Sequence, residues 1–328
     1  VVVFVFLCRS GLGNDVARSL FGCFLASPLS HAELRMTSNV QPVVCCLGYP
    51  VAGNPTQFLM QRASEALGLD WTFVTAEVST DKVAEAFQGI RALHFSGAAF
   101  LPPHRPLGSR LVDSTTESAW RSGQVRVARR DGDSWLGDDT LGQAIVEILR
   151  FEGAVVEETS RVVVSGRLWL PDLLRLACPE AWRTRLIEAV PSHQESPTPP
   201  VAASALATGE IPASSPEPSA SASIERWEYE QIGEQACPIE VMIVDAEAKA
   251  PTAKQLSKVR WTASPTLVML EPNPRWEAAI QSLKLSNLRI LRSTDIAAAK
   301  AVVNFQFWTG QLPDLSLIRD ALDEYCQW

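Results

Sequence analysis

Residues 43–97 read "VVCCLGYPVAGNPTQFLMQRASEALGLDWTFVTAEVSTDKVAEAFQGIRALHFSG" and decide the fold. "VVCCLGYP" is an apolar run of strand length, "TQFLMQRASEALG" carries apolar residues at helical spacing, and "DWTFVTAEV" is again strand-like. "TDKVAEAFQGI" supplies a second amphipathic helix and "RALHFSG" a third strand. Strands alternating with helices of this length predict a parallel sheet wrapped by helices, an α/β fold.

Working outward, "QVRVARRDGDSWLG" is two short runs about Asp131-Gly132, a hairpin signal. "LGDDTLGQAIVEIL" follows at 136–149. Asp138, Asp139 and Thr140 suit the cap of a helix running from about Asp139 to Phe151. In the second half "SRVVVSG" (160–166) is a strand, and helical segments are expected up to about Val190. Residues 191–223 are rich in Pro, Ser and Ala without apolar period, and are expected to be a disordered insertion. Strands "IEVMIVDA" and "TLVMLEP", helix "RWEAAIQSLK", strand "LRILR" and the closing helices "DIAAAKAVVNFQFW" and "PDLSLIRDALDEYC" complete the chain.

At 328 residues the chain can hold two domains, and 46% hydrophobic with 20% charged residues is the make-up of a globular protein. A net charge of −8 with scattered Lys and Arg argues against nucleic acid or an anionic membrane as partner. No apolar run approaches the ~20 residues that span a bilayer. Seven cysteines without C-x-x-C spacing read as reduced thiols in a cytoplasm, and four histidines make no pair with metal-ligand spacing, so no metal site is expected. Cys45 and Cys46 are adjacent in a strand and should point to opposite faces as packing residues. Residues 1–35 imitate a dinucleotide-binding turn through Gly11-x-Gly13 but lack its third glycine. The first methionine is Met36, so this stretch is read as a non-native or poorly ordered extension.

Four pieces, "CLGYPVAGNPTQFLMQ", "GAAFLPPHRP", "SGQVRV" with "WLGDDTLG", and the tail "AKAVVNFQFWTGQLPDLSLIRDAL", resemble the shikimate dehydrogenase family in order and spacing. The resemblance covers roughly residues 42–152 and 265–325, and the tail, with Phe305-x-x-Trp308-Thr309-Gly310 and Pro313, is its most specific part. It implies a two-domain α/β protein: a substrate domain over 36–145 joined by the C-terminal helices 296–328, and a Rossmann-type domain over 146–295 that contains the insertion. Phe305 and Trp308 are packing residues in the family. The implied activity is reversible hydride transfer between NADPH and 3-dehydroshikimate in aromatic amino acid biosynthesis, with a Lys–Asp pair handling the hydroxyl proton.

Carried over by position, the working residues are replaced. The catalytic lysine of "VTVPFK" falls on Arg105, and its aspartate partner in "GDNTDG" falls on Leu141. The asparagine of "AVNT" becomes Arg126, the two substrate-holding serines become Asn54 and Thr56, and the late glutamine becomes Lys300. Arginine keeps its proton to a pKa above ~12 and is a poor general acid. Leucine accepts no hydrogen bond. Losing one member of a proton-handling pair typically costs ~10²–10⁴ in rate. For the cofactor, "VVVSGRLWLPDLL" offers only Gly166 where the family has a Gly-rich turn.

The leading expectation is therefore a shikimate-dehydrogenase-like pseudoenzyme with a remodelled cleft. There Arg105, Arg126 and Lys300, with Asn54 and Thr56, meet a small shikimate-like anion, and NADP binds only if the chain is active. The bland alternative makes these solvated charges in a decaying site. An active NADP-dependent oxidoreductase on shikimate or a related hydroxy-acid, with Lys300 as proton donor, is a second reading, and a non-catalytic partner-binding module a third. His104, beside Arg105, is read as an ordinary loop histidine.

Overall fold

Apolar alternation across β1 (Val43–Gly48) sends successive side chains into two different cores, and the first sheet is built around it. In this computed structural model the described residues are 41–154, 159–167, 169–190, 224–228, 231–232, 237–285 and 287–327. The expected extension 1–35 and the expected insertion 191–223 lie outside them. Cys45 packs with Phe87, Phe100 and Trp135. Cys46 faces the other way, among Leu59, Ile145 and Phe305. Burial pushes the two thiols up to about 11 and about 12, so neither is a nucleophile.

From β1 the chain runs through α1 (Thr56–Ala66), β2 (Thr72–Glu77), α2 (Val83–Ala92) and β3 (Gly97–Phe100). Val83, Phe87 and Ile90 bury one face of α2, as their spacing requires. The third strand starts later than the run "RALHFSG" suggests. Arg91 and Ala92 end the helix, and His94 turns the chain with φ of 56°. Then come α3 (Arg105–Leu111), β4 (Ser114–Thr115), α4 (Glu117–Ser122) and the hairpin of β5 (Val127–Asp131) and β6 (Ser134–Asp138). The sheet order is β2-β1-β3-β5-β6-β4. It is mixed rather than parallel, because a two-residue turn at Gly132 joins only antiparallel strands.

After α5 (Leu141–Phe151) the chain builds a second sheet from β7 (Arg161–Ser165), with α6 (Leu170–Ala177) and α7 (Glu180–Arg183) leading to β8 (Leu186–Val190). β9 (Glu225–Glu228), β10 (Ile239–Val244), α8 (Ala253–Leu256), β11 (Trp261–Met269), α9 (Pro274–Gln281) and β12 (Arg289–Leu291) follow. All pairs are parallel, in the order β9-β8-β7-β10-β11-β12 of a doubly wound Rossmann-like fold. The strand at 186–190 replaces an expected helical stretch, and the one at 225–228 has no counterpart in the sequence reading. Runs this short carry no decisive period, and their pairing is made across the chain, where Arg226 meets the buried Glu188 at 2.6 Å. The sheet is thus complete.

α10 (Ser293–Thr309) and α11 (Leu315–Cys326) close the chain. α10 lies against α5, α1 and β5, and one continuous core holds residues from both sheets, Val44 and Val127 with Val162 and Val241. Phe305 and Trp308 belong to that core, and the Trp308 indole N–H donates to the Ala128 carbonyl at 2.9 Å. No helix among the described residues is long and apolar enough to cross a membrane.

Gly97 makes room for that indole: a Cβ there would stand 2.5 Å from Trp308 Cδ1. Gly97→Ala should therefore lower stability by about 1–3 kcal/mol in urea unfolding. Gly89→Ala, in α2 with open space around it, should raise stability by about 0.5–1 kcal/mol.

Candidate functional site

The loop ends of the first sheet bring charged residues together at one edge of α10. Arg105 opens α3, and its carbonyl accepts from the Val125 N–H at 3.0 Å, so it sits beside the segment that carries Arg126. Arg126 is itself pinned: its N–H donates to the Asp138 carbonyl and its own carbonyl accepts from the Phe100 N–H. Its guanidinium Nε then donates to Asp139 Oδ1 at 2.6 Å. Arg126 is 6% and Asp139 1% exposed, so this is a buried ion pair.

Asp139 Oδ1 also accepts from the Leu141 N–H at 3.2 Å, one residue ahead of Thr140, the N-cap of α5. Thr140 stands at the N-cap, as expected, but its side chain makes no capping bond, and the side chains on either side of Asp139 are engaged elsewhere. Thr140 donates to Asn304 Oδ1 at 2.6 Å, and the Asp138 carboxylate accepts from the Thr116 hydroxyl. Burial, against the Thr116 bond, raises the Asp138 carboxyl above its ordinary range. Leu141 is 5% exposed and packs in the main core.

Lys300, Asn304 and Trp308 are spaced four residues apart and share a face of α10. Asn304 touches Thr140 and Trp308 touches Ala128, so the Lys300 face lies over the Asp139–Thr140 turn. Burial first, then the cations Arg126 and Arg105, lower Lys300 to about 7, against the pull of Glu271 and Asp139. Arg105 is lowered to about 9, by burial and then by Arg126, and stays a cation at neutral pH. Its Nε is buried without a hydrogen-bond partner, as is Asp139 Oδ2.

Three of the expected site residues, Arg105, Arg126 and Lys300, are thus neighbours. Asn54 and Thr56 are not bonded to this group among the described residues. Asn54 Oδ1 accepts from the Thr56 N–H at 2.9 Å and shapes the entry to α1. His104 is fully buried, with Nε2 2.7 Å from the Val78 carbonyl oxygen, a structural role. Among the described residues no group of His, Cys, Asp and Glu could hold a metal.

On the second sheet the crevice where strand order reverses, beyond β7 and β10, is where a Rossmann-type fold takes a dinucleotide. Here that place is filled. Gly166 has φ of 144°, and a Cβ on it would stand 2.4 Å from the Asp245 carboxylate carbon. Asp245 is 1% exposed and accepts from the Arg167 N–H at 2.9 Å and from the Glu247 N–H at 2.8 Å. Burial raises this carboxyl, against those two N–H bonds. The Arg167 side chain reaches Glu247 at 3.1 Å and Glu271 at 3.5 Å. Pro171, in the first turn of α6, offers no N–H. Gly166 accommodates a carboxylate of the chain itself. With its N–H donor engaged and three acidic residues around it, the turn does not suit a diphosphate.

The carboxylate at 139 and the acidic set Asp245, Glu247 and Glu271 escape a motif reading. One signal was present: against "AVNT" and "GDNTDG" the chain adds a guanidinium at 126 and a carboxylate at 139 together.

No family model matches the chain. It is 32% identical over 124 residues to the shikimate dehydrogenase (NADP(+)) of Geobacter metallireducens, across 38% of this chain and 43% of that enzyme. It is 31% identical over 120 residues to the one from an Anaeromyxobacter species, across 37% and 42%. The chain spans about two fifths of the length of these curated relatives. Among solved structures, shikimate 5-dehydrogenase from Thermus thermophilus with NADP(H) and shikimate superimposes with a TM-score of 0.62 at 18% identity, over 87% of this chain and all of that one. The 5-ketofructose reductase of a Gluconobacter strain gives 0.60 at 18%, over 87% and 99%. These structures share the fold.

Removing one member of the Arg126–Asp139 pair leaves a buried unpaired charge. Arg126→Asn or Asp139→Asn alone should each cost about 3–5 kcal/mol, and the double variant clearly less than their sum, in a double-mutant cycle by urea unfolding. Lys300 predicts a pH slope. Between about 7 and its ordinary 10.5 the unfolded chain holds a proton that the folded chain has released, so stability rises with pH in that window. Comparing urea midpoints at pH 7 and pH 9, Lys300→Met should remove this rise.

Proposed function

Since the chain is a divergent relative of the shikimate dehydrogenase family, we propose that its cleft binds a small carboxylate and that nicotinamide-dependent hydride transfer has been lost. The observation that carries this reading is a pair of basic side chains without counter-ions: Arg105, a cation with a buried Nε that donates to nothing, and beside it Lys300, which makes no hydrogen bond or ion pair among the described residues. The nearby carboxylates are engaged elsewhere, Asp139 on Arg126 and Glu271 on Arg167. An anionic ligand completes the charge balance that the chain leaves open. A carboxylate is favoured because a guanidinium fork matches its two oxygens.

The same geometry speaks against the proton relay of the family. Leu141 is turned into the core, and Arg105 holds its proton at neutral pH. On the nucleotide side Asp245 occupies the anion-binding turn. A second reading, an active oxidoreductase, is favoured by Lys300 alone, whose lowered pKa suits a proton donor. It requires a nucleotide to displace Asp245 from the Arg167 N–H.

The Thermus thermophilus structure named above holds shikimate, which makes it the first probe. Calorimetric titration with shikimate should saturate at millimolar concentration or below, and Arg105→Ala should weaken binding roughly ten- to a hundredfold. NADPH fluorescence should not change on adding the protein, and NADPH should not be consumed with 3-dehydroshikimate. Absence of saturable shikimate binding overturns the carboxylate cleft, and turnover of NADPH overturns the loss of hydride transfer.

A further inference from the structure

We propose that Lys300 is an amine nucleophile, and that the cleft forms a protonated imine between its Nζ and the carbonyl carbon of a keto-carboxylic acid whose carboxylate rests on Arg105. The inference rests on the carboxylate-binding reading and adds the reacting group to it.

Lys300 has the surroundings that such an amine needs. It lies on the face of α10 that Asn304 and Trp308 tie to the first sheet, opposite two guanidiniums, and it bonds to neither carboxylate in reach. The charged groups facing it are Arg105 from α3, Arg126 and Asp139 from the turns flanking the β5–β6 hairpin, and Glu271 from the end of β11. Arg126 is spent on Asp139 and Glu271 lies 3.5 Å from Arg167, which leaves Arg105 to hold the ligand carboxylate. Lys300 is half-buried, and burial with its two cationic neighbours lowers it to about 7, so roughly half of it is uncharged at neutral pH, the form that attacks a carbonyl.

The step balances without an oxidant or reductant. The Nζ lone pair forms a bond to the carbonyl carbon, and the carbon–oxygen π pair moves to oxygen, which takes up a proton. A proton leaves nitrogen, a further proton from solvent reaches the hydroxyl, and it departs as water. The net change is one ketone, one amine and one proton giving one iminium ion and one water. The iminium draws electrons from the adjacent C–H bond, so the activity class is hydride-free proton transfer or elimination at that carbon. No nucleotide is called for, which agrees with an anion turn already filled by Asp245.

The full chain, incubated with 3-dehydroshikimate and sodium cyanoborohydride at pH 8, should gain one adduct that peptide mapping places on Lys300. Shikimate, which has no ketone, should protect against it at the concentrations that titrate the cleft. The trapping rate should rise with pH about a midpoint near 7 rather than near the ordinary lysine value. Lys300→Arg should abolish the adduct, and Lys284→Arg, at an exposed site, should leave it intact. If shikimate binds but the adduct is absent, or is spread over exposed lysines such as Lys249, Lys254 and Lys258, the amine role is overturned and the carboxylate cleft stands. If shikimate does not bind, the underlying reading fails with it. Should Lys300→Arg not fold, the mapped position in the unaltered chain still decides.

Discussion

The buried contact between Arg126 and Asp139 is the constraint on which the cleft depends. Two charges removed from water are tolerable only together, and each is also committed to the backbone around it. Arg126 is locked between the Phe100 N–H and the Asp138 carbonyl, while Asp139 accepts from the Leu141 N–H at the start of the helix that carries Leu141 into the core. One salt bridge therefore joins the third strand, the hairpin and the start of α5. With Asp139 Oδ1 engaged in that way, neither Arg105 nor Lys300 forms an ion pair with a carboxylate among the described residues.

The cleft is electrically lopsided as a result. Its first-sheet side presents Arg105, Arg126 and Lys300 against Asp139. Its second-sheet side presents Asp245, Glu247 and Glu271 against Arg167. The doubly wound sheet persists in full, yet the carboxylate of Asp245 takes the donor that such a sheet ordinarily offers to a nucleotide. A scaffold can keep its topology after its loops have changed occupant, because the sheet is held by strand burial and the turn by a few polar bonds.

Much of this was legible in the residues. The Val83–Phe87–Ile90 spacing, the Asp131-Gly132 turn and the Phe305–Trp308 tail each state their own local structure, since helix period, turn chemistry and aromatic packing act over a few residues. The placing of Arg105, Arg126 and Lys300 in one cleft came from resemblance, and the geometry brings those three together while Asn54 and Thr56 turn to a local bond. The strands at 186–190 and 225–228 were not legible, because each is too short to have a period and exists through its neighbour in the sheet.

What the sequence determined by itself is the set of alternating elements and the residue types, an arginine at 105 and a leucine at 141, that stand where the resemblance looks for a lysine and an aspartate. What only the tertiary structure decided is where the charges go. Whether a carboxylate caps, pairs or fills a turn depends on which groups thirteen or seventy-eight residues away arrive beside it, as Arg126 does for Asp139 and Arg167 for Asp245. Electrostatic energy is set by distance and by exclusion of water, and neither is written along the chain.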